Sequence, residues 1–304
     1  MTALDQTAEA TRAPETSAAP APVHRVRKPL ADRLLKGWSI LVFVFLFIPI
    51  LVIVIYSFNT GRLLIAFDQF GFDSYAALFQ KRTLSDAVMI SLIVGALSSV
   101  FAAALGTFAG IALARKPGKW TFWFVGFLLL VAVTPDIVGA VSLLPMLVFL
   151  GQDMGLDFFN NGIVRLTIGS SLFSIAVVTY IVRARLVGMP ANLEEASADL
   201  YSTPVRTFRK VTLPLAMPAI LAGLLLSFTF SLDDTIVASF VQVSGSTPWP
   251  VYVLSALRSG LRPEIAAVST IMLVITLVAL AVVALVLKRA GDSATDIART
   301  MSGG

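Results

Sequence analysis

Long apolar runs alternate with short polar ones along nearly the whole chain. From Gly37 to Gly61 there is no charged side chain, and the same holds from residue 87 to 114. Crossing a bilayer takes about 20 predominantly apolar residues in helical form. Six runs meet that length, at about 38–58, 87–114, 120–150, 166–187, 217–243 and 264–287. The first run outlasts the core of a secretory signal and ends in bulky Tyr56 and Phe58, which predicts a retained helix. The third is too long for one straight span and predicts a break near Thr134-Pro135-Asp136. Pro218 and Pro263 suit helix beginnings. Gly106 and Gly110, four apart, suit close helix packing. The pattern predicts an all-α integral membrane protein with six transmembrane helices.

Composition sharpens this reading. Only 13% of the 304 residues are charged, roughly half the usual 25% or so. So few charges cannot cover a water-facing surface, which makes lipid the natural solvent. Cysteine is absent, which removes thiolate metal sites and cysteine nucleophiles. The lone histidine, His24, falls in a tail rich in Ala, Thr and Pro that is predicted to be disordered over 1–37. No Gly-x4-Gly-Lys-Ser/Thr phosphate loop occurs, so the chain does not power itself. A nucleophile–base pair is hard to assemble, and the scattered bases form no patch for nucleic acid. The expectations are no catalysis, no metal and no cofactor in this chain.

The bases instead speak to orientation. With the N-terminus inside, 17 of the 23 fall on the inner side. Only Arg62, Lys81, Arg82, Arg165, Arg258 and Arg262 fall outside. The positive-inside rule then places both termini in the cytoplasm. Residues 38–288 form the membrane domain and 289–304 a short tail. Trp38, Trp120 and Trp123 fall near predicted inner boundaries.

Loop 190–214 reads as two short helices. Asn192 can cap the first, weighted with Glu194, Glu195 and Asp199. Thr203 with Pro204 can start the second, which ends in Arg209 and Lys210 and is expected to stop at Leu213-Pro214. An acidic head and basic tail exposed between spans suit docking on another protein, though an amphipathic connector has the same charges. Three acids, Asp136, Asp233 and Asp234, lie in apolar runs with no base at similar depth. Such groups usually mark a solute path, here for a cation. A protonated or capping carboxylate is the plainer alternative, above all at Asp136. Trp249 and Tyr252 could stack on an amine or anchor an interface.

The order of residues in the loop resembles the "EAA" loop of permease subunits of bacterial binding-protein-dependent ABC importers. The match runs through Glu195-Ala196-Ser197, Tyr201 at the family's glycine position, and Val211-Thr212-Leu213-Pro214. Ser231-Leu232-Asp233-Asp234 and Thr247-Pro-Trp-Pro-Val-Tyr252 look like the polyamine (spermidine and putrescine) permeases of that family. Permeases for opines, GABA and similar solutes share much of this pattern. A secondary transporter is the rival class, but only one helix break is visible in the sequence.

The resemblance implies a MetI-like permease fold in the bacterial cytoplasmic (inner) membrane, surrounded by lipid. It implies ATP bound by a separate ATPase dimer, a second permease subunit (homologous or identical) and an extracytoplasmic solute-binding protein. In the family's mechanism, closure of the ATPase dimer moves the coupling helices and opens the path outward. Glu195, Ala196, Ser197, Tyr201, Leu213 and Pro214 would couple to the ATPase. Asp233, Asp234, Trp249 and Tyr252 would line the solute path, joined by Asp136 on its place in an apolar run. Tyrosine at the glycine position implies either a differently built turn or an added contact to the motor.

Overall fold

The computed structural model describes residues 29–289 apart from 62, 65, 190 and 191. The expected tails up to residue 28 and from 290 lie outside the described residues. The chain order is α1 (Pro29–Tyr56), α2 (Asp73–Gln80), α3 (Arg82–Arg115), α4 (Lys119–Val133), α5 (Asp136–Val148) and α6 (Gly162–Val187). Next come α7 (Asn192–Asp199), α8 (Pro204–Thr207), α9 (Leu213–Asp233), α10 (Ile236–Val241), α11 (Trp249–Ser259) and α12 (Pro263–Arg289). Among the described residues every regular element is helical, apart from one isolated β-bridge between Asn59 and Phe70. Among the described residues six stretches are long and apolar enough to cross a membrane: 33–56, 82–115, 136–153, 162–187, 204–233 and 263–286.

Several bounds differ from the sequence expectation. Helix α1 is described from Pro29 on, inside the stretch expected as tail. The run 120–150 is two helices, because proline pushes the residue before it out of the helical region. Thr134 accordingly sits at φ −64°, ψ 126°. The fifth run is corrected more deeply. Leu213-Pro214 does not stop the loop's second helix. A π-helical turn, Phe208–Thr212, carries α8 on into α9, and Pro218 lies inside α9 rather than at its start. Pro214 and Pro218 remove two donors from consecutive turns of the same helix face, and a wider π turn relieves the ring clash that an α-helix would suffer there. At the far end α9 stops at Asp233, ten residues short of the expected 243.

The described residues up to Ile50 form one unit and those from Leu51 another. In the first, Phe43 and Phe47 stack at 6.1 Å and apolar side chains are exposed on every face, as suits a helix in lipid. The second unit is built on α3, α6 and α9, which pack on one another. Ala102, Val178, Val182, Ala216 and Ala219 form its fully buried centre. In lipid the hydrophobic effect does not drive helices together, so close packing has to. Small residues make that possible: a Cβ on Gly106 would come within 2.7 Å of Val178 Cβ, and one on Gly110 within 2.9 Å of the Thr179 carbonyl oxygen. Some hydroxyls inside the bundle return to their own helices, as with Thr179 to the Ile175 carbonyl (2.7 Å) and Thr229 to the Leu225 carbonyl (3.0 Å).

Candidate functional site

Two helix breaks border one cavity, together with residues of α6. The first is Thr134-Pro135, between α4 and α5. The second, at Asp234-Thr235 between α9 and α10, was not visible as a break in the sequence. Asp234 leaves the helical region at ψ 93° and caps α10: its Oδ1 accepts from the Val237 N–H (3.1 Å) and its Oδ2 from the Ser170 hydroxyl (2.8 Å). Asp234 is therefore tied into the fold, and its spacing before Val237 was the overlooked signal of a cap.

Around these breaks lies a cavity of about 390 Å³ lined by Asp136, Asp233, Asp234, Ser170, Phe173 and Phe230. The structure thus brings all three intramembrane acids together. Asp136 and Asp233 are exposed to it, and among the described residues neither carboxylate has a hydrogen-bond or ion-pair partner. No lysine or arginine lines the cavity. Asp136 opens α5, where the helix dipole favours a carboxylate. Asp233 closes α9, where the dipole already presents negative charge. A carboxylate at a helix C-terminus reinforces a field that attracts cations. Phe173 and Phe230, in edge contact at 5.5 Å, supply an aromatic wall that was not anticipated; aromatic faces attract ammonium groups.

Trp249 and Tyr252 are placed differently from the acids. Trp249 is 6% exposed and belongs to a core cluster of α2, α3, α11 and α12. Its backbone N–H donates to the Ser91 hydroxyl (2.7 Å), and its ring stacks on Tyr252 at 5.6 Å. A second cavity, of about 380 Å³, is lined by Trp249, Asp233 and Phe230. Asp233 thus borders both cavities, whereas Tyr252 lines neither.

The loop between α6 and α9 is held by polar ties. Glu194, not singled out for coupling, pairs with Arg115 Nε of α3 (3.0 Å) and accepts from the Thr212 hydroxyl (2.8 Å). The Ser197 and Thr207 hydroxyls, 2.9 Å apart, join α7 to α8. Glu195 and Ala196 are exposed, Leu213 is half-buried and Pro214 exposed. Helix α7 ends in a Schellman turn: the Tyr201 N–H donates to the Ala198 carbonyl (2.8 Å) and the Ser202 N–H to the Ser197 carbonyl (3.1 Å). That turn demands a left-handed residue, and Tyr201 supplies it at φ +59°, the one non-glycine with positive φ among the described residues. The turn keeps the geometry a glycine would give, at a cost of about 1–2 kcal/mol.

Residues 104–295 match the family model described as "Binding-protein-dependent transport system inner membrane component". The chain belongs to this family. As an inner-membrane transport component it carries both the loop and all three cavity acids inside the matched stretch. It is 36% identical over 242 residues to the putrescine transport system permease protein PotI of Escherichia coli K12, covering 78% of this chain and 85% of that one. It is 35% identical over 250 residues to the spermidine/putrescine transport system permease protein PotC of the same organism, covering 82% and 92%. Among solved structures, a bacterial alginate ABC transporter in complex with a periplasmic protein bound to an alginate pentasaccharide shares the fold. The TM-score is 0.65, at 16% identity over 86% of this chain and 94% of that one.

Proposed function

We propose that this permease forms the translocation path for a small organic cation, a polyamine of the putrescine or spermidine kind. The observation that carries the reading is the pair of unpartnered carboxylates, Asp136 and Asp233, facing one cavity at two helix breaks with no base nearby. Broken helices at membrane depth are a common way of exposing helix ends and polar groups to a solute. The names of the relatives point to the same solute class. In this reading Asp233 and Asp136 hold ammonium groups, Phe173 and Phe230 flank the carbon chain, and Asp234 holds the α9–α10 break open. Trp249 supports Asp233 from the neighbouring cavity, with Tyr252 stacked behind it.

Both termini are cytoplasmic in this reading, with residues 38–288 as the membrane domain between two tails. Loop 190–214 docks on a separate ATPase dimer that binds the ATP. Glu195, Ala196, Ser197 and Tyr201 form the docking head, and Leu213-Pro214 passes the movement into α9 through the continuous helix. A second permease subunit completes the path, and an extracytoplasmic binding protein delivers the solute. Uptake of labelled putrescine, spermidine, GABA and an opine into cells with and without this chain tests the proposal. Uptake of the two amines alone should depend on the chain; dependence of GABA or opine uptake instead would refute the cation assignment.

A further inference from the structure

Tyr201 carries two features that the fold of this chain alone does not repay. Its backbone is held left-handed by the Schellman turn, a conformation that an aromatic residue adopts only under constraint. Its side chain, 97% exposed, gains no packing in return. The turn itself is firmly specified, since α7 is bound to α3 through Glu194 and to α8 through Ser197. The ring is therefore aimed outward by a rigid base. Leu200 and Val205, exposed by 82% and 75%, stand on either side of it in sequence, so three large apolar side chains project from one six-residue stretch. Exposed Glu195 and Asp199 lie just before them on α7.

We infer that Tyr201 is the anchor of the coupling loop, its ring seated in an apolar pocket on the ATPase subunit. This rests on the proposed docking role of loop 190–214. Aromatic anchors with a polar tip, flanked by apolar neighbours and ringed by charge, have the composition of binding hot spots. Exposed Glu195 and Asp199 before the knob and exposed Arg206 after it ring it with charges of both signs, as the polar rim of an interface does. Because the strain is already present in the free permease, binding does not have to create the ring's orientation, and the pre-aimed side chain loses little freedom on docking.

The test uses the full-length permease with its partner subunit in lipid nanodiscs, titrated with the purified ATPase. Three variants separate ring from backbone: Tyr201→Gly and Tyr201→Asn accept the left-handed turn and remove the ring, while Tyr201→Phe keeps it. The expected result is parental affinity for Tyr201→Phe and affinity about tenfold or more weaker for the other two. Thermal stability of the permease should be unchanged or raised in Tyr201→Gly, which distinguishes a lost contact from a damaged loop. If the parental chain recruits the ATPase and Tyr201→Gly recruits it equally well, this inference is wrong while the docking role stands. If the parental chain recruits no ATPase at all, the docking role fails and this inference falls with it.

Discussion

Replacing Asp233 with asparagine keeps the shape of the cavity wall and removes one negative charge. The Asp233 carboxylate has no partner among the described residues, so the substitution breaks no internal bond. A hydrogen bond to a charged group is worth about 1.5–3 kcal/mol, against about 0.5–1.5 for a neutral one. The difference, about 1–2 kcal/mol for each ammonium held, corresponds to roughly 5–30-fold in uptake rate at limiting solute. Asp234 provides the contrast, because its carboxylate caps α10 and accepts from Ser170. Asp234→Ala should cost about 0.5–2 kcal/mol of stability through the lost cap, with the Ser170 hydroxyl left unpaired. The assay is initial-rate uptake of labelled putrescine in proteoliposomes holding the complete transporter, beside a thermal melt of each variant. Asp233→Asn should melt like the parent and transport poorly, and Asp234→Ala should melt early. Parental transport by Asp233→Asn would refute the argument that this carboxylate meets the solute.

Other expectations rest on the same geometry. A reporter fused after Ser246 should be extracytoplasmic and one fused after Ser202 cytoplasmic, from the distribution of bases; both on one side would overturn the six-span arrangement. Glu195→Lys should insert normally yet lose ATP-driven uptake, since Glu195 is exposed in the first turn of α7 and a dipole gain of about 0.3–1 kcal/mol becomes a penalty there. Glu194→Ala should instead lower the melting temperature as well, because it leaves Arg115 without its carboxylate; equal behaviour of the two variants would contradict their different burial. Gly110→Leu should reduce the amount of folded protein in the membrane by forcing α3 from α6, where a Cβ already meets the Thr179 carbonyl oxygen at 2.9 Å; a parental yield would show that the helices can part at little cost.

The sequence by itself determined the part of this protein governed by local rules. Helices of membrane length arise from runs of apolar residues, because a single segment in lipid can pair its whole backbone within itself only as a helix. The family was legible because the loop pattern is contiguous, from Glu195 to Pro214. The break before Asp136 was legible because proline acts on its immediate neighbour. The rest depended on partners distant in the chain. That Asp234 is tied down while Asp233 is free turns on Ser170, 64 residues away. That Glu194 braces the loop while Glu195 faces outward turns on Arg115, 79 residues away. Two adjacent identical side chains look alike in a sequence. Helical geometry sends them to different faces, and only packing decides which one meets a partner.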